Sequence, residues 1–274
     1  MGKIIAFANQ KGGVGKTTSC VNTSASLAMF GKKVLLIDID PQGNASSGVG
    51  VKKNGEMKSV YDLIVGEATI DEVIQHSPIE GFDILPANNE LAGAEVEMVY
   101  MESREKIIKR LLKKVRDSYD FITIDCPPSL GLLTINALTS ADSVLIPIQC
   151  EYFALEGLSQ LMNTIRLIKK KLNPNIQIEG VLLTMKDNRS SLGQQVAEEI
   201  KKHFTNSVYQ TTIPRNIRLA EAPSHGLPIC MYDKSCAGAK SYMNLAEEIL
   251  TRNDISYKKV AQDDKRRAKK WVLD

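Results

Sequence analysis

Three stretches of this sequence hold residues that could act together on a phosphate. The first is Asn9-Gln10-Lys11-Gly12-Gly13-Val14-Gly15-Lys16-Thr17-Thr18, with three glycines, two lysines and two hydroxyls in ten residues. Closely spaced glycines let a backbone turn tightly and aim several N–H groups at one anion. Lys16 brings a full positive charge to the β- and γ-phosphates of a nucleotide. The Thr17 hydroxyl is suited to ligating Mg²⁺. The second stretch carries Asp38 and Asp40, and the third carries Asp125.

These residues need elements that bring them to one place. The apolar run Ile4-Ile5-Ala6-Phe7-Ala8 reads as a buried strand, and Val21, Ala25, Leu27, Ala28 and Met29 follow the loop at helical spacing. Strand, glycine-rich loop, then Lys-Thr opening a helix is the context a phosphate-binding loop requires. The first helix is expected to end at Gly31, a good C-cap. Lys33 to Asp40 reads as an apolar strand ending in acid and broken by Pro41. Tyr119 to Asp125 reads the same way, ending before Cys126-Pro127-Pro128. Asp38 and Asp40, two apart on a strand, are expected to face one side. Asp40, at the end, reaches furthest toward a γ-phosphate and is assigned to orienting or activating the attacking water. Asp38 is assigned to supporting the Mg²⁺ shell or the loop, and Asp125 to holding Mg²⁺.

Residues 43–58 read as a loop, residues 90–117 as charged and helical, and Ser143 to Ile148 as a strand. Leu155 to Leu172 is a predicted amphipathic helix with Leu158, Leu161, Met162, Ile165 and Ile168 on its apolar stripe. Ile176 to Met185 is a predicted strand, Leu192 to His203 a helix, Val208 to Ile213 a short strand and Ala237 to Leu250 a helix. Apolar strands alternating with helices describe an α/β fold: a doubly wound, mostly parallel sheet with helices on both faces. Ligands in such folds bind at the C-terminal ends of the strands, where the loop, Asp40 and Asp125 fall.

The bulk numbers narrow the function classes. The chain has 274 residues, 43% hydrophobic and 24% charged, the balance of an ordinary globular protein. No apolar run approaches the ~20 residues a membrane span requires, and the opening residues carry no signal-peptide pattern. Five cysteines without a Cys-x-x-Cys pair suggest reduced thiols and no metal or iron–sulfur centre. His76, His203 and His225 are scattered without ligand spacing, and nothing pairs Cys126 with a histidine as a nucleophile would need. Net charge is +3, yet residues from Thr251 onward carry eight Lys/Arg and four Asp/Glu. The body before them is close to neutral, so any nucleic-acid binding by it must come from a local patch. The division expected is a domain over 1–254 and a basic tail over 255–274.

The loop departs from the ordinary P-loop pattern, which wants a glycine where Gln10 stands, and has a second lysine, Lys11, at its start. It resembles the deviant Walker A motif. With Asp38-Ile39-Asp40-Pro41-Gln42-Gly43-Asn44 and Asp125-Cys126-Pro127-Pro128, the chain resembles the ParA family of partition ATPases. Gln149 to Leu158 and Ile213 to Gly226 resemble its chromosomal Soj branch. The likeness covers about residues 1 to 250 and leaves out the tail.

The resemblance implies an Mg²⁺-dependent ATPase of the cytoplasm, associated with the nucleoid. ATP would be held by Lys11, Gly12, Gly13, Val14, Gly15, Lys16, Thr17 and Thr18, with Pro214 and Asn216 on the adenine. ATP would drive a homodimer in which Lys11 of each subunit touches the other's nucleotide. That dimer would bind DNA without sequence preference, and a ParB-type centromere-binding partner would stimulate hydrolysis and release. Arg189 and Arg218 match DNA-contacting positions of the branch. Lys201 and Lys202, closing the Leu192 helix, add charge to the same expected patch. The main alternative is a MinD-like, membrane-associated division-site ATPase. The tail's apolar residues are sparse and interrupted by Asp263, Asp264 and Lys265, so no membrane role is expected. An amide-forming synthetase on the same fold is a further alternative.

Overall fold

Five-residue runs with almost no polar interruption form the central strands, because the sheet is covered on both sides. The computed structural model describes residues 1–52, 57–151, 154–187, 190–205 and 207–257. In chain order the elements are β1 (Lys3–Phe7), α1 (Lys16–Met29), β2 (Val34–Asp38), α2 (Asn44–Gly48), α3 (Val60–Val65), α4 (Ile70–Val73), β3 (Gln75–His76), β4 (Phe82–Leu85), α5 (Leu91–Met98) and α6 (Ile107–Leu112). Then follow β5 (Phe121–Asp125), α7 (Leu132–Ser140), β6 (Ser143–Gln149), α8 (Ala154–Lys171), β7 (Gln177–Thr184), α9 (Ser191–His203), α10 (Ile217–Glu221), α11 (Ile229–Tyr232) and α12 (Ala237–Arg252).

These strands form one sheet in the order β3-β4-β2-β5-β1-β6-β7, and only the two-residue β3 pairs antiparallel. Alternation along a strand splits the core into two layers. Ile4 and Ala6 of β1 enter the layer formed with α3 to α9, whereas Ile5 and Phe7 enter the layer formed with α1, α11 and α12. Leu245 and Ile249 of α12 are fully enclosed in the second layer, and each such side chain contributes about 1.5–3 kcal/mol by burial. Buried hydroxyl pairs tie α1 to its neighbours: Ser24 to Thr123 of β5 at 2.7 Å, and Ser19 to Tyr242 of α12 at 3.1 Å.

Several boundaries differ from the sequence reading. The predicted strand over Val208–Ile213 is reduced to an isolated bridge from Val208 to Val181 of β7, with a second at Pro214 to Lys186 beyond the end of β7. The Thr211 N–H, which a strand would aim at β7 as Tyr209 and Ile213 aim theirs, donates instead to the Glu248 carboxylate at 2.9 Å, as does the Gln210 N–H. The predicted helix over 90–117 breaks between α5 and α6, where Ser103 adopts a left-handed conformation with φ 52°. Within the predicted 43–58 loop, Asn44–Gly48 is helical, and residues 53–56 lie outside the described residues. β2 stops at Asp38, so Asp40 lies past the strand. The turn over Asp40–Gly43, closed by the Gly43 N–H on the Asp40 carbonyl at 2.8 Å, replaces the last two strand residues. The tail beyond Tyr257 lies outside the described residues.

Candidate nucleotide site

Strand register builds the site. Asp125 stands opposite Phe7 on β1 and opposite Asp38 on β2, because β5 lies between those two strands. The loop after β1, the turn after β2 and the end of β5 therefore meet at the C-terminal edge of the sheet, at its topological switch point.

The loop is shaped by its glycines and held by its neighbours. Gly13 and Gly15 have φ of 72° and 81°, a backbone region that side chains disfavour. Thr184, the last residue of β7, donates its hydroxyl to the Val14 carbonyl at 2.8 Å. Asn9 donates to the Pro147 carbonyl of β6 at 2.7 Å and accepts from the Lys11 N–H at 3.0 Å. α1 begins at Lys16 behind Gly15, with no side-chain cap and no acid in its first turn. Its first N–H groups and its positive dipole end are left for an anion.

Lys16 is buried, and its ammonium donates to the Lys11 carbonyl across the loop at 3.1 Å. Burial pulls its pKa down, and Asp125, Cys126 and Asp40 pull it back up. Asp125 is fully buried, and neither carboxylate oxygen has a hydrogen-bond partner of good geometry among the described residues. Burial and then Asp38 push its pKa well up, while Thr17 and Lys16 act the other way. An unpartnered buried carboxylate is costly, so the donor set Asp125 and Thr17 fits a hard divalent cation, which uses few protein ligands beside phosphates.

Asp38 is engaged differently. Its carboxylate accepts from the Ser46 N–H at 2.8 Å, the Ser46 hydroxyl at 2.7 Å and the Asp40 N–H at 3.1 Å. Burial raises its pKa to about 6 against these bonds. Of the two roles open to Asp38 from sequence, the loop is the one these contacts serve. Asp40 is buried, with one oxygen accepting from the Gln42 N–H at 3.0 Å. Cys126 is fully buried, and burial with Asp125 drives its thiol pKa up, the opposite of an activated nucleophile.

At the other lip of the loop, Lys11 pairs with Glu151, just beyond β6, at 2.6 Å. Beside this pair is a cleft of about 180 Å³ lined in part by Cys150, Glu151, Lys186 and Arg215. Pro214 bridges to Lys186 past the end of β7. Asn216 caps α10, its side-chain oxygen accepting from the Arg218 N–H at 2.9 Å. Pro214 and Asn216 thus lie beyond β7, the strand at one edge of the sheet.

Three of the expected DNA contacts lie on α9 and α10. Arg218 is half-exposed and already paired with Glu221 at 2.9 Å and Asp233 at 3.6 Å. Lys201 and Lys202 are exposed on the last turn of α9, Lys202 with Glu199 at 3.2 Å. Arg189 lies outside the described residues. The sequence reading missed Asn9, Ser46, Thr184 and Glu151. Their only signal was adjacency to a motif or a strand end, and their partners are 41 to 170 residues away or across a turn.

Residues 2–178 match the model of an AAA domain family. The chain is 60% identical over 249 residues to the sporulation initiation inhibitor protein Soj of Bacillus subtilis (strain 168), covering 91% of this chain and 98% of the relative. It is 51% identical over 253 residues to the chromosome-partitioning ATPase Soj of Treponema pallidum (strain Nichols), covering 92% and 99%. Among solved structures it is similar to a cobyrinic acid a,c-diamide synthase from Mycobacterium smegmatis with bound ATP analogue and magnesium. The TM-score there is 0.81, with 33% identity and coverage of 93% of this chain and 96% of that one. With a P-loop site at the switch point of a mostly parallel sheet and relatives of this identity over nearly their whole length, the chain belongs to the Soj/ParA family of chromosome-partitioning ATPases.

Proposed function

We propose that this protein is an ATP-driven DNA-binding switch of chromosome or plasmid partition, acting in the cytoplasm on the nucleoid. The carrying observation is the convergence of Lys16, Asp40 and the unpartnered Asp125 carboxylate at one strand edge. ATP lies along Gly12 to Thr18, with Lys16 on its β- and γ-phosphates and Pro214 and Asn216 at the adenine. Asn216 spends its carbonyl on its own helix and keeps its amide N–H groups for the base. Thr17 and Asp125 hold Mg²⁺, as a related structure with ATP analogue and magnesium supports. When bound, that ion neutralises charge developing on the phosphates. Asp40 positions the water that attacks the γ-phosphate.

Lys11 leaves Glu151 and reaches the nucleotide of a second copy, closing a homodimer. Dimerisation doubles a small basic patch that includes Arg218, Arg189, Lys201 and Lys202, and so allows sequence-blind DNA binding. A ParB-type partner stimulates hydrolysis and release. Residues 1–254 form the ATPase domain and 255–274 a basic appendage. Among the described residues no helix is long and apolar enough to cross a membrane.

DNA co-sedimentation with no nucleotide, ADP, ATP and a non-hydrolysable analogue tests the switch. Binding is expected with ATP and the analogue only, together with a shift to dimer size. Equal binding in all four conditions would sink it.

A further inference from the structure

The 40–48 segment does not rest on its own backbone alone. It is fastened to two strands by Ser46, whose N–H donates to the Asp38 carboxylate at 2.8 Å and whose hydroxyl alone joins that carboxylate to the end of β4. Ser46, in α2 and fully buried, donates from Oγ to the Asp38 carboxylate at the end of β2 at 2.7 Å. The same Oγ accepts from the Ala87 N–H, just past the end of β4, at 3.0 Å. A hydroxyl has one proton to donate, and here it goes to the carboxylate, leaving a lone pair for Ala87. The other Asp38 oxygen accepts from the Asp40 N–H at 3.1 Å. The chain of contacts therefore runs Ala87, Ser46, Asp38, Asp40, and it fixes the backbone from which the Asp40 side chain projects. Residue 87 is itself held: the adjacent Pro86 carbonyl accepts from the Val60 N–H at the start of α3 at 2.8 Å.

We infer that Ser46 is a positioning residue for hydrolysis: its hydroxyl clamps the Asp40 turn to the ends of β2 and β4. This inference rests on Asp40 being the water-positioning group. A carboxylate on a turn can drift by an ångström or more if the turn is loosely tied, and misplacement on that scale can cost up to ~10²-fold in rate. ATP binding draws mainly on the loop and α1, which Ser46 does not contact through any of the bonds above. A defect confined to turnover is therefore the signature of the clamp.

Removing the hydroxyl leaves Asp38 and the Ala87 N–H each short of one partner inside the core. Ser46→Ala is the direct test. Ser46→Thr and Ser46→Val form a control pair of equal volume, differing only in the hydroxyl. Steady-state ATP hydrolysis gives kcat and KM, equilibrium titration gives ATP affinity, and thermal unfolding reports the fold. The expected result is a kcat roughly tenfold or more lower for Ala and for Val, ATP affinity within about threefold of wild type, and kcat largely restored in Thr relative to Val.

Equal kcat for the Thr and Val variants overturns the inference, as does an Ala variant turning over at the wild-type rate. Loss of ATP affinity in step with kcat, or unfolding of Ala and Val at the assay temperature while Thr stays folded, assigns the hydroxyl to the fold and likewise overturns it. Asp40→Ala measured alongside separates the two levels. If that variant hydrolyses ATP normally, the role of Asp40 has failed. If it is inactive while the serine variants are normal, only the clamp has failed.

Discussion

The Lys11 ammonium lies 2.6 Å from the Glu151 carboxylate of the same chain, joining the start of the phosphate loop to the end of β6. Both side chains are partly exposed, so the pair is worth under ~1 kcal/mol. It holds Lys11 at low cost and would not oppose the proposed transfer to a second copy's nucleotide. Lys11→Ala is therefore expected to change the melting temperature little and to leave ATP binding by the monomer intact, while the ATP dimer fails to form. Lys16→Ala is expected to abolish productive ATP binding, because the loop loses its charge at the β- and γ-phosphates. Nucleotide titration with size analysis checks both, and equal loss of ATP affinity in the two variants would refute the in-trans role.

Asp40→Ala is expected to keep ATP binding and dimerisation and to remove hydrolysis. It also relieves like-charge repulsion beside the γ-phosphate, so the ATP dimer should outlast that of wild type. Dimer lifetime by size analysis, alongside phosphate release, is the measurement, and turnover at the wild-type rate would count against it.

Asp125 gives a metal prediction. Its two unpartnered oxygens are expected to make tight ATP binding depend on Mg²⁺. Chelation with EDTA should weaken ATP binding in the wild type and have much less effect in Asp125→Asn. A neutral amide no longer selects a divalent cation, and it removes one charge from the crowded set formed with Asp38 and Asp40. Titrations with and without Mg²⁺ in both proteins decide it.

Arg218 is held by Glu221 and Asp233, which a DNA phosphate would have to displace under the proposed function. Arg218→Ala should weaken ATP-dependent binding to every sequence about equally and lower the log-affinity against log-salt slope by ~0.9 per lost phosphate contact. Glu221→Gln should do the reverse and raise affinity a few-fold. Arg218 first, then Tyr232, hold the Glu221 carboxyl below the ordinary glutamate range. Such a depressed group keeps its pairing above the ordinary pKa and loses it as pH falls through the lowered one. The gain from Glu221→Gln should therefore be constant between pH 6 and 8. A gain that vanishes across that range would show that Glu221 is not the competitor.

Residues 255–274 carry seven Lys/Arg and three Asp. Truncation after residue 254 is expected to reduce DNA affinity modestly at low salt and to leave its ATP dependence intact. Filter binding over a salt series measures this. If truncation removes DNA binding while Arg218→Ala keeps it, the tail is the DNA-binding element.

The sequence by itself determined the phosphate loop, the two acidic strand ends and the alternation that makes the sheet. Each is a local signal: glycines next to a lysine, an apolar run that stops at an acid, a period that switches between strand and helix. Strand order was not local. Only the placement of β5 between β1 and β2 put Asp125 opposite both Phe7 and Asp38. The same holds where side chains outcompeted a backbone ladder. Glu248 captured the Thr211 N–H that would have continued the ladder of 208–213 on β7, and Asp38 with Ser46 turned the end of β2 into a tied loop. Those partners lie 8 to 38 residues apart along the chain. No window of sequence contains the competition between them, because burial decides which acceptor each N–H group finds, and burial exists only once the layers have packed.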